Sequence, residues 1–155
     1  GEYGIIDEVL CSDGEGVKHL HQVAGGSVKP ASHETVDARE HFIYQEGQAV
    51  FKWAVVKMAE ATEEILKRNN MTSQDISYLL PHQANMRIIS ATGKRLELDN
   101  EKVLVNIEKY GNTTSATIPM LMFENQHKFK KGDNLILTAF GAGFTWGAVL
   151  VKWAI

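Results

Sequence analysis

Three short stretches of this 155-residue chain place polar side chains or bare backbone directly after apolar runs. They are Pro81-His82-Gln83, Tyr110-Gly111-Asn112 and Phe140-Gly141-Ala142-Gly143. The imidazole N–H of His82 and the amide N–H of Asn112 are both donors for an oxygen that gains negative charge. Two donors aimed at one developing oxyanion form the preorganised stabilisation that dominates many acyl-transfer reactions. Gly141 and Gly143 let the backbone approach a ligand closely, so the Ala142 amide between them suits a second oxyanion hole. Each feature also has a plain reading: His82 as a turn histidine bonded to a carbonyl, and Gly111-Asn112 as ordinary turn chemistry. A nucleophile is missing from the set. Cys11 is the single cysteine, it ends an apolar run with no basic or glycine-rich setting to activate it, and it reads as structural.

In α/β sheets chemistry gathers at the carboxyl ends of strands, where helix N-termini begin, so the elements around these stretches decide whether they meet. Strands are expected at 3–10, 76–80, 103–107, 134–140 and 148–153, from apolar or branched runs bounded by turn residues. Residues 48–68 carry Val50, Phe51, Ala54, Met58, Ala61, Ile65 and Leu66 at helical spacing and make one apolar stripe. Glu63 with Lys67 and Glu64 with Arg68 stand four apart, the favourable order on a solvated face. Helices are also expected at 85–96 and at about 115–127. Residues 15–42, with Gly25-Gly26 and Lys29-Pro30, read as a long loop of the kind that serves as a lid or binding loop. The alternation predicts an α/β fold, a mixed sheet layered with helices in βαβαβαββ-type order. A sheet buried on both faces calls for more helices than these three, which suggests half of a larger fold.

Bulk composition narrows the function class. The chain has 44% hydrophobic and 23% charged residues and a net charge of −3, the profile of a globular protein and not of a generic nucleic-acid binder. One cysteine excludes an internal disulfide framework and fits a reducing compartment. No apolar run reaches the ~18 residues of a membrane span, and the first residues do not read as a signal peptide, so a cytoplasmic location is expected. Histidines 19, 21, 33, 41 and 127 have no metal-ligand spacing, and no metal site is expected. Gly141-Ala142-Gly143 lacks the Lys-Ser/Thr ending of a phosphate loop.

"PHQAN" at residues 81–85, "YGNTTSATIP" at 110–119 and "FGAGFTWGAVLVKW" at 140–153 together resemble the carboxyl-terminal half of a β-ketoacyl-acyl carrier protein synthase III. The resemblance runs through the whole chain in order and register. It implies a thiolase fold, built from two similar halves, in which residues 1–155 are the carboxyl-terminal domain and the amino-terminal half with the nucleophilic cysteine is absent. It implies decarboxylative condensation of acyl-CoA with malonyl-acyl carrier protein at the start of fatty-acid synthesis. There is no resident cofactor in that reaction, and these two thioesters are the substrates. By resemblance His82 and Asn112 assist decarboxylation, and the Ala142 amide holds the acyl-enzyme oxyanion, where the family commonly has glycine.

The implied carrier-protein segment is Gln83, Ala84, Asn85, Met86 and Arg87. Lys94 lies within about 20° of Arg87 around a helix axis and Arg95 about 80° further, which makes a basic stripe. Gly47, Phe51, Asn85 and Phe140 match positions near the pantetheine arm or acyl pocket, although Phe51 also fits a plain core position. Expected partners are acyl carrier protein, the amino-terminal half and, in the full-length form, a second copy in a homodimer. No nucleic acid or membrane is expected. The isolated chain is expected to be inactive. The alternatives are another thiolase-fold condensing enzyme, such as a polyketide starter or quinolone-type synthase, and a non-catalytic fragment that binds carrier protein.

Overall fold

The computed structural model describes residues 2–155. Along the chain come β1 (Gly4–Ser12), β2 (Leu20–Gln22), α1 (His33–Asp37), β3 (Ile43–Gln45), α2 (Gly47–Arg68), β4 (Tyr78–Pro81) and α3 (Met86–Arg95). After them come α4 (Ile107–Tyr110), α5 (Thr117–Asn125), β5 (Asn134–Gly141) and β6 (Thr145–Lys152). Among the described residues, four strands form one mixed sheet in the order β1-β6-β5-β4, with β4–β5 the parallel pair. Parallel neighbours need a long crossover, and the segment holding α3, α4 and α5 provides it. The expected α/β fold is the one observed.

The stripe read from the sequence is what fixes α2. Val50, Ala54, Met58, Ala61, Ile65 and Leu66 are all buried, and their 3.6-residue period puts them on one face. That face packs across the sheet on Ile136, Ala148 and Leu150, and near its start on Phe140 and Phe144. Fully burying Met58 and Ile65 contributes about 2 kcal/mol apiece. Strand residues alternate between faces, so Leu80 and Leu135 point the other way and pack under Leu121 of α5 and Phe129. Helix α5 covers only the β4–β5 side of that second face. Beyond it Leu137, Ala139 and Val149 line a cleft, and Leu10 is 69% exposed.

Three expectations are corrected. Residues 15–42 are not one long loop. A 3-10 turn at Gly14–His19 leads into β2, α1 begins at a reciprocal cap between Ser32 and Thr35, and β2 pairs antiparallel with β3. The segment docks through paired backbone bonds between Asp13 and Phe144 (2.8 and 2.5 Å). Gly16 is required at this contact, because a Cβ there would run into the Phe144 ring.

The strand expected at 103–107 is also absent. Val103 makes one parallel bridge to Leu79, and the chain then turns into α4. The cause is a side chain: Oε1 of Gln83 accepts the N–H groups of Asn106 and Ile107, which a strand would have directed to a neighbour. Finally, Arg68 does not pair with Glu64. It reaches across to Asp7 on β1 at 2.5 Å and so ties α2 to the sheet edge.

Candidate active site

His82 leaves the sheet directly after β4. Its N–H donates to the Thr138 carbonyl at 2.8 Å, which extends the β4–β5 ladder by one rung. Alternation then points its ring to the same face as Leu80, beneath the start of α5. There Nδ1 lies 2.6 Å from Oγ1 of Thr117, a residue 2% exposed. Burial lowers the His82 pKa below the ordinary imidazole value, because an imidazolium loses hydration there. The ring is therefore neutral at neutral pH, which is the form suited to donating one N–H.

Asn112 is placed by the turn after α4. Gly111 sits at φ 65° and ψ −154°, a region essentially confined to glycine. The Asn112 Oδ1 accepts the Thr114 N–H at 2.9 Å, so the NH2 end of the amide is the donor available to the cleft. One carboxylate braces the turn. Glu124 of α5 accepts from the Tyr110 hydroxyl (2.6 Å), from Nδ2 of Asn106 (2.9 Å) and from Lys109 (3.3 Å). The Tyr110 bond, followed by that of Asn106, holds the Glu124 carboxyl below its usual pKa, and the same carboxylate raises that of Tyr110.

Ala142 occupies the turn between β5 and β6. Its carbonyl accepts the Thr145 hydroxyl at 3.0 Å, and the fully buried Phe144 anchors the far side of the loop on Phe140 and Trp53.

His82, Asn112 and Ala142 all line a single cleft of about 1400 Å³. Gly47, Phe51, Ala84, Asn85, Arg87 and Phe140 line it too. Arg87 lays its guanidinium over the Phe51 ring at 5.1 Å, which fixes a cation at the cleft wall. Asn85 is the N-cap of α3, its Oδ1 accepting the Arg87 N–H at 2.9 Å. Cys11 is exposed and also lines the cleft.

Other expected site residues lie apart. Met86 is 36% exposed outside the cleft lining. Lys94 and Arg95 are exposed in the last turn of α3, about 10 Å further along the axis from Arg87 at 1.5 Å per residue. Gln83 is a correction. It is fully buried, its amide NH2 donates to the Pro81 and Leu104 carbonyls, and its carbonyl accepts two backbone N–H groups. No face of it remains to meet a carrier protein.

Sequence reasoning missed Thr117 and the apolar wall of Ile118, Leu137, Ala139 and Val149. The alternation of 135, 137 and 139 against 136, 138 and 140 was the available signal for the wall. Among the described residues no group of three or more His, Cys, Asp or Glu side chains is placed to hold a metal ion, and no helix is long and apolar enough to cross a membrane.

The family model described as 3-oxoacyl-[acyl-carrier-protein (ACP)] synthase III C terminal matches residues 66–153, more than half of the chain, with His82, Asn112 and Ala142 inside the match. The chain belongs to this family. Within the synthase III family, it is 60% identical over 153 residues to the β-ketoacyl-[acyl-carrier-protein] synthase III of Porphyromonas gingivalis, covering 99% of this chain and 46% of that protein. A synthase III of Chlorobium phaeobacteroides is 54% identical over 154 residues, covering 97% of this chain and 47% of that one. The crystal structure of 3-oxoacyl-[acyl-carrier-protein] synthase III from Aquifex aeolicus superposes with a TM-score of 0.84 at 35% identity, over 99% of this chain and 46% of that chain. The chain thus spans about half the length of the synthase III proteins it matches, and it has their thiolase-like α/β fold.

Proposed function

We propose that this chain is the carboxyl-terminal half of a β-ketoacyl-acyl carrier protein synthase III and supplies the donors for its decarboxylative condensation. One observation carries the reading: the His82 imidazole, the Asn112 amide and the Ala142 backbone lie along one cleft. A malonyl thioester on a carrier protein breaks the bond to its carboxylate. CO2 leaves, and the electron pair moves onto the thioester oxygen. His82 and Asn112 donate to that oxygen as it becomes an enolate, in a site where preorganised donors act strongly. A neutral imidazole acts as such an electrophile without giving up its proton. The enolate carbon then attacks an acyl thioester, the Ala142 N–H takes the tetrahedral oxyanion, and a thiolate leaves. That thiolate belongs to a nucleophilic cysteine on an amino-terminal half.

Mixing supplies the test. Alone, the 155 residues are expected to form no acyl-enzyme from acyl-CoA. Together with an amino-terminal half bearing the cysteine, they are expected to condense acyl-CoA with malonyl-carrier protein. Detectable acylation of the chain alone, or failure to associate with such a half, would refute the reading. A homodimer of the two-half protein, a cytoplasmic location and the lack of a resident cofactor belong to the same proposal.

Arg87, with Lys94 and Arg95 further along α3, is proposed to meet the acidic surface of the carrier. Arg87→Glu is expected to raise the KM for malonyl-carrier protein by about ten-fold and to flatten its salt dependence, with priming by acyl-CoA unchanged, because rim charges act mainly on encounter. Equal losses in both stages would rule out docking.

A further inference from the structure

His82 has two ring nitrogens, and only a nitrogen that carries hydrogen can donate to an enolate oxygen. Which nitrogen is protonated is set by the hydrogen bond that the other one makes. Among the described residues Nδ1 has one partner, Oγ1 of Thr117 at 2.6 Å. That hydroxyl has one proton and a second neighbour, the Thr114 carbonyl at 2.9 Å. The same carbonyl already accepts the Thr117 backbone N–H, so it keeps a partner when the hydroxyl turns away from it. An unprotonated Nδ1, on the buried side of the ring, has no other donor within reach among the described residues, and an unmet buried polar atom is costly. The shorter separation also lies on the Nδ1 side.

The geometry points to Thr117 as a positioning residue that donates its hydroxyl proton to Nδ1 of His82 and so keeps the ring as the tautomer with its N–H on Nε2, presented to the cleft. This rests on the donor role assigned to His82 above. The opposite arrangement, with Nδ1–H donating to Oγ1 and Oγ1–H to Thr114, would present a lone pair to the enolate oxygen and repel it. Burial of Thr117 and the preference of a β-branched side chain for few χ1 rotamers keep the hydroxyl where it is needed. Lowering of the His82 pKa by burial fits the same picture, because a neutral ring has a tautomer to choose.

The test is a long-range proton–nitrogen NMR spectrum of the chain labelled with 15N-histidine, at neutral pH. In the wild type the His82 Nδ1 should have the shift of an unprotonated ring nitrogen and Nε2 that of a protonated one. T117V, which keeps the shape and removes the donor, should move both towards a mixture, and T117S should restore the wild-type pattern. In the enzyme assembled with its amino-terminal half, T117V should slow malonyl-carrier decarboxylation about five-fold, and T117S should stay within about two-fold of wild type. Acyl-enzyme formation should not change.

A protonated Nδ1 in the wild-type spectrum overturns the proposal, whether or not T117V folds. A folded T117V with the wild-type histidine shifts overturns it too. The two readings fail separately. Undiminished decarboxylation by His82→Ala removes the role of His82 and leaves the tautomer result standing, whereas a protonated Nδ1 beside an inactive His82→Ala removes only Thr117.

Discussion

His82→Ala is expected to slow malonyl-carrier decarboxylation by about 10²- to 10³-fold, the usual cost of removing one oxyanion donor. The size follows from placement. The residue is tied at two points, by its backbone N–H to the Thr138 carbonyl and by its ring Nδ1 to Thr117, so no reorganisation is needed as charge develops. Asn112 does not replace it, because its amide has its own anchor on the Thr114 N–H and cannot swing across. The measurement is CO2 or acetyl-carrier release from malonyl-carrier protein by the assembled enzyme, set beside acyl-enzyme formation from acyl-CoA. The first should collapse and the second should persist. Equal losses would assign His82 to activation of the nucleophile, and no loss would remove it from the chemistry.

Gln83→Leu is expected to cause the largest loss of stability. The Gln83 amide touches four backbone groups: the carbonyls of Pro81 (2.8 Å) and Leu104 (3.4 Å) and the N–H groups of Asn106 (3.0 Å) and Ile107 (3.1 Å). Leucine fills much the same volume but orphans two N–H groups around a fully buried position. At about 1–3 kcal/mol for each unmet group, the two N–H groups together cost about 2–6 kcal/mol, offset in part by the gain in apolar contact. For a domain of this size that lowers Tm by about 10 °C. Thermal and urea unfolding check it, and a loss below about 1 kcal/mol would mean that the four bonds do not act as a clasp. Gln83→Glu retains the acceptor but buries a charge, and it should destabilise as well. Because Gln83 joins the end of β4 to the start of α4, the segment leading to Asn112 should shift with it, and activity should fall even where the variant still folds.

Much of the frame was legible because it rests on local pattern. The stripe on α2 runs from Val50 to Leu66, about five turns, and the apolar runs of β4 and β5 are bounded by Pro81 and by Gly141. The candidate site was legible for a related reason. His82, Asn112 and Ala142 each follow the end of an apolar run, and polar or bare groups at such ends have few structural duties. Errors gathered where a side chain took over a backbone role. Residues 103–107 have strand composition, yet Gln83, twenty-three residues before Asn106, takes the N–H that a ladder would use. Gln83 itself was placed in the carrier-protein segment by the family resemblance alone, which does not record that its side chain turns inward. Arg68 had a partner four residues away in sequence and chose Asp7 instead.

The sequence by itself determined the three longer helices, the four strands of the main sheet, the positions that carry the polar groups, and the family. Periodicity and turn chemistry act within a few residues and need no folded chain. Only the tertiary structure decided that His82, Asn112 and Ala142 share one cleft, that Gln83 is an internal clasp, and that Thr117 meets His82. These are contacts between groups tens of residues apart. Their bonds exist only once β4, β5 and α5 are packed, and composition at either end does not record which partner will arrive.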